Sequence, residues 1–181
     1  MMSRYMLIVA LLIAAFAVGF FQEYVKVNIN YIVETGDRLP GFFEQDASVK
    51  KQWLNEVQVD APYDYYYNHG KFEALYGFSR SGLTTLKWIM TVFFVIVFLG
   101  INLLLLHLLT QQRTVLKWTM LLYLVFFVLS FGIYLFGKLT GTFEQAYAVS
   151  RRIVGALQSL VPLMLVLPAV WLMRTKMEIH K

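Results

Sequence analysis

The chain has 181 residues, 59% of them apolar by type and 15% charged, with a formal net charge of +5. Soluble domains carry about 25% charged residues, and a mean hydropathy of +0.59 places this chain outside that class. Composition excludes a disordered chain and a soluble enzyme; the absence of cysteine excludes a thiolate nucleophile, an Fe–S or thiolate zinc site and a disulfide scaffold.

The missing charge is missing in blocks. Residues 5–22, 88–112, 118–137 and 153–173 contain no Asp, Glu, Lys or Arg. Each is about as long as a helix needs to be to cross a ~30 Å hydrocarbon layer. The first block follows Arg4 and has small residues at Ala15, Ala17 and Gly19, as a cleavable signal peptide would. Its apolar run continues through Phe20 and Phe21, beyond a usual signal core, which favours a retained span. In either case the next segment lies on the translocated side.

That segment, residues 23–87, is the main polar part and holds nine of the eleven acids. Val25, Val27, Ile29, Tyr31 and Val33 alternate with polar residues as in a strand. A lone strand would leave its edges unpaired. As a helix the same residues put Val25, Ile29, Ile32 and Val33 on one face and extend the first span; the helix is the preferred reading. Gly36 through Gly41, with Pro40, predicts a break. Ser48 is placed to cap a short helix through Trp53 and Leu54 to about Val57. Asp60-Ala61-Pro62 and Asn68-His69-Gly70 read as turns, a short helix from Lys71 to Phe78 follows, and Ser79 or Ser81 caps the second span.

Gln111–Lys117 joins the second and third spans as an antiparallel hairpin, and Lys138–Arg152 joins the third to the fourth. Cytoplasmic loops of membrane proteins carry the excess of Lys and Arg. That rule sets Arg4, Arg113, Lys117, Arg174, Lys176 and Lys181 inside, with Lys138, Arg151 and Arg152 outside. The expected fold is all-α: one polytopic membrane domain over residues 1–181, with four transmembrane helices, a small extracytoplasmic helical cap, and both termini cytoplasmic. Basic residues flanking apolar blocks anchor helix ends to lipid phosphates, so the pI of about 9.4 does not imply nucleic acid.

Inside the four blocks no ionisable acid or base lies at mid-depth, the usual pointer to a proton or ion path. Asn102, His107 and Gln158 are the polar candidates of next rank, with Asn102 expected to bond across a helix interface. Pro162 and Pro168 predict kinks in the fourth span. Gly132, Gly155, Ala156 and Ser159 would let helices approach closely. Arg151-Arg152 opens the expected fourth helix, where cations oppose the helix dipole; lipid phosphate, Glu144 or a partner carboxylate are their candidate counter-ions. Tyr65, Tyr66 and Tyr67 lie in an aromatic run suited to a membrane-interface belt or to partner docking. Asp64 and His69 are weak acid–base candidates. No catalytic, cofactor-binding or metal-binding pattern is present.

The third block, with Val115-Leu-Lys-Trp-Thr-Met-Leu-Leu-Tyr-Leu-Val-Phe-Phe-Val128, resembles the third span of exosortase-associated membrane proteins of the F and X types. Ala148-Val-Ser-Arg-Arg-Ile153, and an apolar run ending in Leu167-Pro168-Ala169, are similar to that family's fourth-span region. The resemblance covers roughly Thr85–Trp171, while the polar loop is longer than usual for the F type. It implies a non-catalytic accessory subunit in a bacterial inner membrane, partnered with an exosortase, a polytopic cysteine transpeptidase acting on sorting signals. Arg151 and Arg152 match the family's double-arginine position and become the leading interaction candidates. The alternative is a small transporter or channel subunit with Asn102, His107 and Gln158 lining a path.

Overall fold

The computed structural model describes residues 3–56 and 72–179, with side chains described as far as Leu172. Tyr65, Tyr66, Tyr67, Asp64 and His69 lie outside the described residues. The described residues are all-helical: α1 (Arg4–Arg38), α2 (Ala47–Glu56), α3 (Arg80–Thr110), α4 (Arg113–Thr140), α5 (Phe143–Leu157) and α6 (Val161–Ile179), with short 3-10 turns at Phe42–Glu44 and Glu73–Leu75. It is a polytopic membrane protein. Helices α1, α3 and α4 are each long and apolar enough to cross a bilayer, and α5 with α6 would make a fourth, broken span. Helices suit this setting because they satisfy their own backbone where lipid supplies no partner.

Helix boundaries follow local chemistry. The Ser79 hydroxyl accepts the Gly82 amide at 3.1 Å, capping the start of α3. Helix α4 ends where Gly141 takes φ +77°, a left-handed conformation that glycine adopts without steric cost. The link between α3 and α4 is shorter than expected: Gln111 and Gln112 alone make the turn, with Gln111 at φ +56°. The α2 cap also differs, since the Asp46 carbonyl accepts the Lys50 amide at 3.0 Å and Ser48 lies inside the helix. Over residues 72–78, the described part of the expected Lys71–Phe78 helix, only the Glu73–Leu75 turn forms.

The contacts divide into two compact units. Residues 20–92 form the first, built on a core of Val25, Ile29 and Ile32 from α1 with Phe42, Leu54 and Leu83. The 25–33 segment is therefore helix, its apolar stripe turned into this core. Gly36 sits inside α1 instead of ending it, and a Cβ there would fall 2.5 Å from the Phe43 ring. Polar ties frame the unit. Arg80 holds both Asp37 oxygens at 2.6 and 2.9 Å, Lys51 pairs with Glu73 at 2.6 Å, and Lys87 donates to Asn30 at 2.7 Å.

The second unit comprises residues 1–19 and 93–181. Ala15, Phe98, Leu105, Leu106 and Leu163 share one core, and Val95, Tyr123 and Leu157 another. Arg4 donates to the carbonyl of Leu108 in the last turn of α3, tying the start of α1 to a helix end whose dipole favours cations.

The largest departure from expectation concerns the fourth span. A continuous helix over residues 153–173 does not form. Helix α5 begins ten residues earlier, at Phe143, and ends at Leu157; the chain then bends by 64° before α6. Residues 138–152 are therefore helical almost throughout, leaving only Gly141 and Thr142 as a connection. Pro162 stands in the first turn of α6, not within a kinked helix, while Pro168 lies inside α6.

Candidate functional site

One cause of the bend at residues 158–160 is local. Pro162 has no N–H to offer Gln158, four residues earlier, and its ring crowds that carbonyl. The helix therefore breaks one turn ahead of the proline. In a continuous helix the Leu157 carbonyl would accept from Val161; here the Val161 amide turns to the Ser159 hydroxyl at 3.1 Å. Carbonyls freed in this way need other partners, because an unpaired buried polar group costs about 1–3 kcal/mol.

Two side chains from the neighbouring hairpin provide them. Asn102, fully buried on α3, donates through Nδ2 to the Ser159 carbonyl at 2.9 Å and to the Tyr123 phenol oxygen at 2.7 Å. Tyr123, on α4, donates its own hydroxyl to the Leu157 carbonyl at 3.1 Å. The Ser159 hydroxyl donates to Ala156 at 2.7 Å. The result is a polar node joining α3, α4 and the α5–α6 break, in which the Asn102 Oδ1 is buried with no hydrogen-bond partner.

Helix α5 reaches this node by packing closely along α4. Tyr123, Ser130 and Gly137, spaced at seven residues, are all buried on α4. Facing them in antiparallel order are Leu157, Ser150 and Ala146. The Ser130 and Ser150 hydroxyls are 2.7 Å apart, and the Ser130 hydroxyl also contacts the Ser150 carbonyl at 3.1 Å. A Cβ on Gly137 would come within 2.1 Å of the Ala146 Cβ. At the far end Tyr134 packs edge-on against Phe143, which stacks on Tyr147. Small residues permit this approach, and hydroxyls fasten it.

This register relocates the arginine pair. Arg151 and Arg152 do not open a helix: they lie in the middle of α5, next to Ser150 and so beside Ser130. Within the charge-free block Trp118–Gly137, Ser130 lies about 18 Å from Trp118 and about 10 Å from Gly137 along the helix axis. The sequence set the two arginines just outside the fourth charge-free block, whereas the antiparallel packing carries them alongside the interior of the third. Both are exposed, and neither makes a hydrogen bond or ion pair with any described residue. Glu144, a candidate counter-ion on the same helix, is also exposed and forms no salt bridge with them. An arginine at the centre of a membrane helix costs about 2.5–3.5 kcal/mol on insertion scales, and an anion from lipid or protein beside the pair would offset that cost.

The remaining candidates are distributed unevenly. Gln158 is buried at the break, 5% exposed, while His107 is exposed near the end of α3 and does not join Asn102. Among the described residues no three His, Asp or Glu side chains cluster as metal ligands would. Sequence reasoning missed Tyr123 and Ser130; the seven-residue repeat of Tyr123, Ser130 and Gly137 was the signal available for them. No protein family, curated protein or solved structure matches the chain. The likeness to exosortase-associated proteins therefore rests on the residues quoted for it.

Proposed function

We propose that this protein is a non-catalytic integral membrane accessory or scaffold subunit that assembles with a second polytopic membrane protein, an exosortase in a bacterial envelope sorting system. The observation that carries the reading is Arg151 and Arg152, two exposed cations without counter-ions beside the interior of the charge-free block of α4. Such residues are tolerated when they face a protein partner or a wet cavity. The resemblance of 115–128 and 148–153 to exosortase-associated proteins supports the identity of the partner. A chain with no cysteine cannot supply the thiol of such a transpeptidase, which suits an accessory role. The same reading sets the chain in the inner membrane with both termini cytoplasmic and residues 23–87 outside.

Co-expression with an exosortase, followed by purification in mild detergent, tests this. A stable complex is expected, and Arg151→Ala with Arg152→Ala should weaken it. Repeated recovery of each protein alone would refute the proposal.

A second reading, a small transporter or channel subunit, is favoured by one observation: the unpaired, buried Asn102 Oδ1 at a broken helix, the kind of position where transporters bind substrates. Ion flux in proteoliposomes that disappears in Asn102→Leu would establish it. Absence of flux for Na⁺, K⁺, H⁺ and Cl⁻ would remove its support.

A further inference from the structure

The accessory reading leaves the chemistry of the partner open, and the exposed face of α5 narrows it. Residues on a helix are rotated by about 100° from one to the next. With Ser150 turned into α4, Arg151 emerges to one flank and Arg152 on the side away from α4. Arg152 is flanked on that side by Ala148, one turn before it, and Gly155, one turn after it. Both are exposed, and a Cβ on Gly155 would meet nothing within 4 Å. The outward stripe Ala148–Arg152–Gly155 thus combines small residues, which let another helix approach to backbone distance, with a guanidinium that can bind a carboxylate through two hydrogen bonds.

We infer that this stripe docks a transmembrane helix of the partner that carries a carboxylate, Asp or Glu, within its apolar span, paired to Arg152 and Arg151. The inference rests on the accessory reading and adds the recognition chemistry to it. Two features favour a helix over a lipid headgroup as the source of negative charge. The arginines lie level with Ser130, about 10 Å along the helix axis from the end of the charge-free block at Gly137. The small residues on either side of Arg152 give a neighbouring backbone room that a flexible headgroup does not need. A single acid on an apolar helix would otherwise be as costly as the arginines are; docking neutralises both.

The test uses the full-length protein in zwitterionic phosphatidylcholine vesicles and synthetic poly-leucine transmembrane peptides bearing Glu, Gln or Leu at the central position. Association is read by energy transfer from tryptophan to a dansyl group on the peptide. The Glu peptide should associate at least tenfold more tightly than the Leu peptide. Arg151→Gln with Arg152→Gln should erase the difference, and Gly155→Leu, which keeps both charges, should weaken it severalfold. Circular dichroism verifies that the variants remain helical. Equal association of the Glu and Leu peptides overturns the inference. So does a lipid outcome, in which added phosphatidylglycerol displaces the Glu peptide and Gly155→Leu has no effect. If the peptides fail while an exosortase complex survives Arg151→Gln with Arg152→Gln, only the carboxylate inference falls. If the Glu peptide binds but no complex with an exosortase forms, the accessory reading falls and the acid-binding face stands.

Discussion

The phenol of Tyr123 on α4 donates to the Leu157 carbonyl at 3.1 Å, closing the last turn of α5 from a different helix. Its oxygen also accepts from Asn102 at 2.7 Å. One hydroxyl is thus both donor and acceptor in a node that compensates for a missing helical hydrogen bond. Tyr123→Phe should remove two hydrogen bonds while retaining the ring, and Asn102→Leu should remove two as well. Interhelical hydrogen bonds in membrane proteins average about 0.6 kcal/mol, so each single variant should destabilise the fold by about 1 kcal/mol. Because the shared bond is lost in either, the double variant should cost less than the sum of the two. Unfolding by titrated sodium dodecyl sulfate measures all three; strict additivity would show that the node is not a coupled unit.

The α4–α5 contact makes a stronger prediction. Gly137→Leu puts a side chain where a Cβ alone would fall 2.1 Å from the Ala146 Cβ. Overpacking of this kind costs about 1–3 kcal/mol. Gly137→Ala should be harmful too, and Ala146→Gly should restore part of the loss by clearing the facing position. Rescue by Ala146→Gly is the decisive outcome, since a change in helix propensity alone would make the double variant worse.

Much of the architecture was legible in the sequence because charge-free blocks report helix length directly. The stripe Val25, Ile29, Ile32 likewise identified the helical continuation of α1. The fourth span was misplaced for a physical reason. A charge-free window must begin after Arg152, whereas α5 is held by Ala146, Ser150 and Leu157, only one of which is strongly apolar. Close packing by small and hydroxyl-bearing residues leaves little trace in hydropathy. Pro162 did announce a defect, but its consequence falls on Gln158, one turn earlier, and the side chains that compensate come from residues 102 and 123. Pairings over such separations are set by tertiary register, which one sequence does not display.

The two-residue turn between α3 and α4 stores strain at Gln111, a non-glycine residue at φ +56°. A left-handed conformation costs an L-residue about 1–2 kcal/mol. Gln111→Gly should therefore stabilise the hairpin, by up to about 1 kcal/mol after the added freedom of the unfolded chain is counted. Gln111→Ile, with a branched Cβ, should destabilise it. The same detergent unfolding assay checks both, and a loss of stability in Gln111→Gly would contradict the strain.

In the polar unit, the Arg80 guanidinium bonded to Asp37 holds that carboxyl below its ordinary value of 3.8. Both groups lie beyond the charge-free blocks. A carboxyl with a lowered folded-state pKa contributes stability that is fully present above its unfolded value and is lost as pH falls through the folded one. The unit should thus lose this contribution below about pH 4, while Asp37→Asn should remove it at neutral pH and flatten the acid limb. The pair is solvent-exposed, so the effect should also shrink in high salt. Thermal unfolding between pH 3 and pH 7 of the wild type and Asp37→Asn distinguishes the two curves; parallel curves would assign the acid limb to other carboxylates.

The bend itself can be divided between its two causes. Pro162→Ala returns an N–H that can reach the Gln158 carbonyl, which by itself would favour a continuous helix. Yet in a straight helix the Leu157 and Ser159 carbonyls would have to accept from Val161 and Leu163, and they are already bonded to Tyr123 and Asn102. Pro162→Ala alone should therefore leave most of the 64° bend in place. Combined with Asn102→Leu and Tyr123→Phe it should straighten the helix, because the freed carbonyls can then close the ladder. The chain has no native cysteine to remove, so spin labels on cysteines introduced at Val149 and Val170 can report the distance by pulsed resonance. Lengthening in the triple variant alone identifies the node as the element that holds the bend, whereas full straightening in Pro162→Ala alone would assign the bend to the proline and reduce Asn102 and Tyr123 to passive caps.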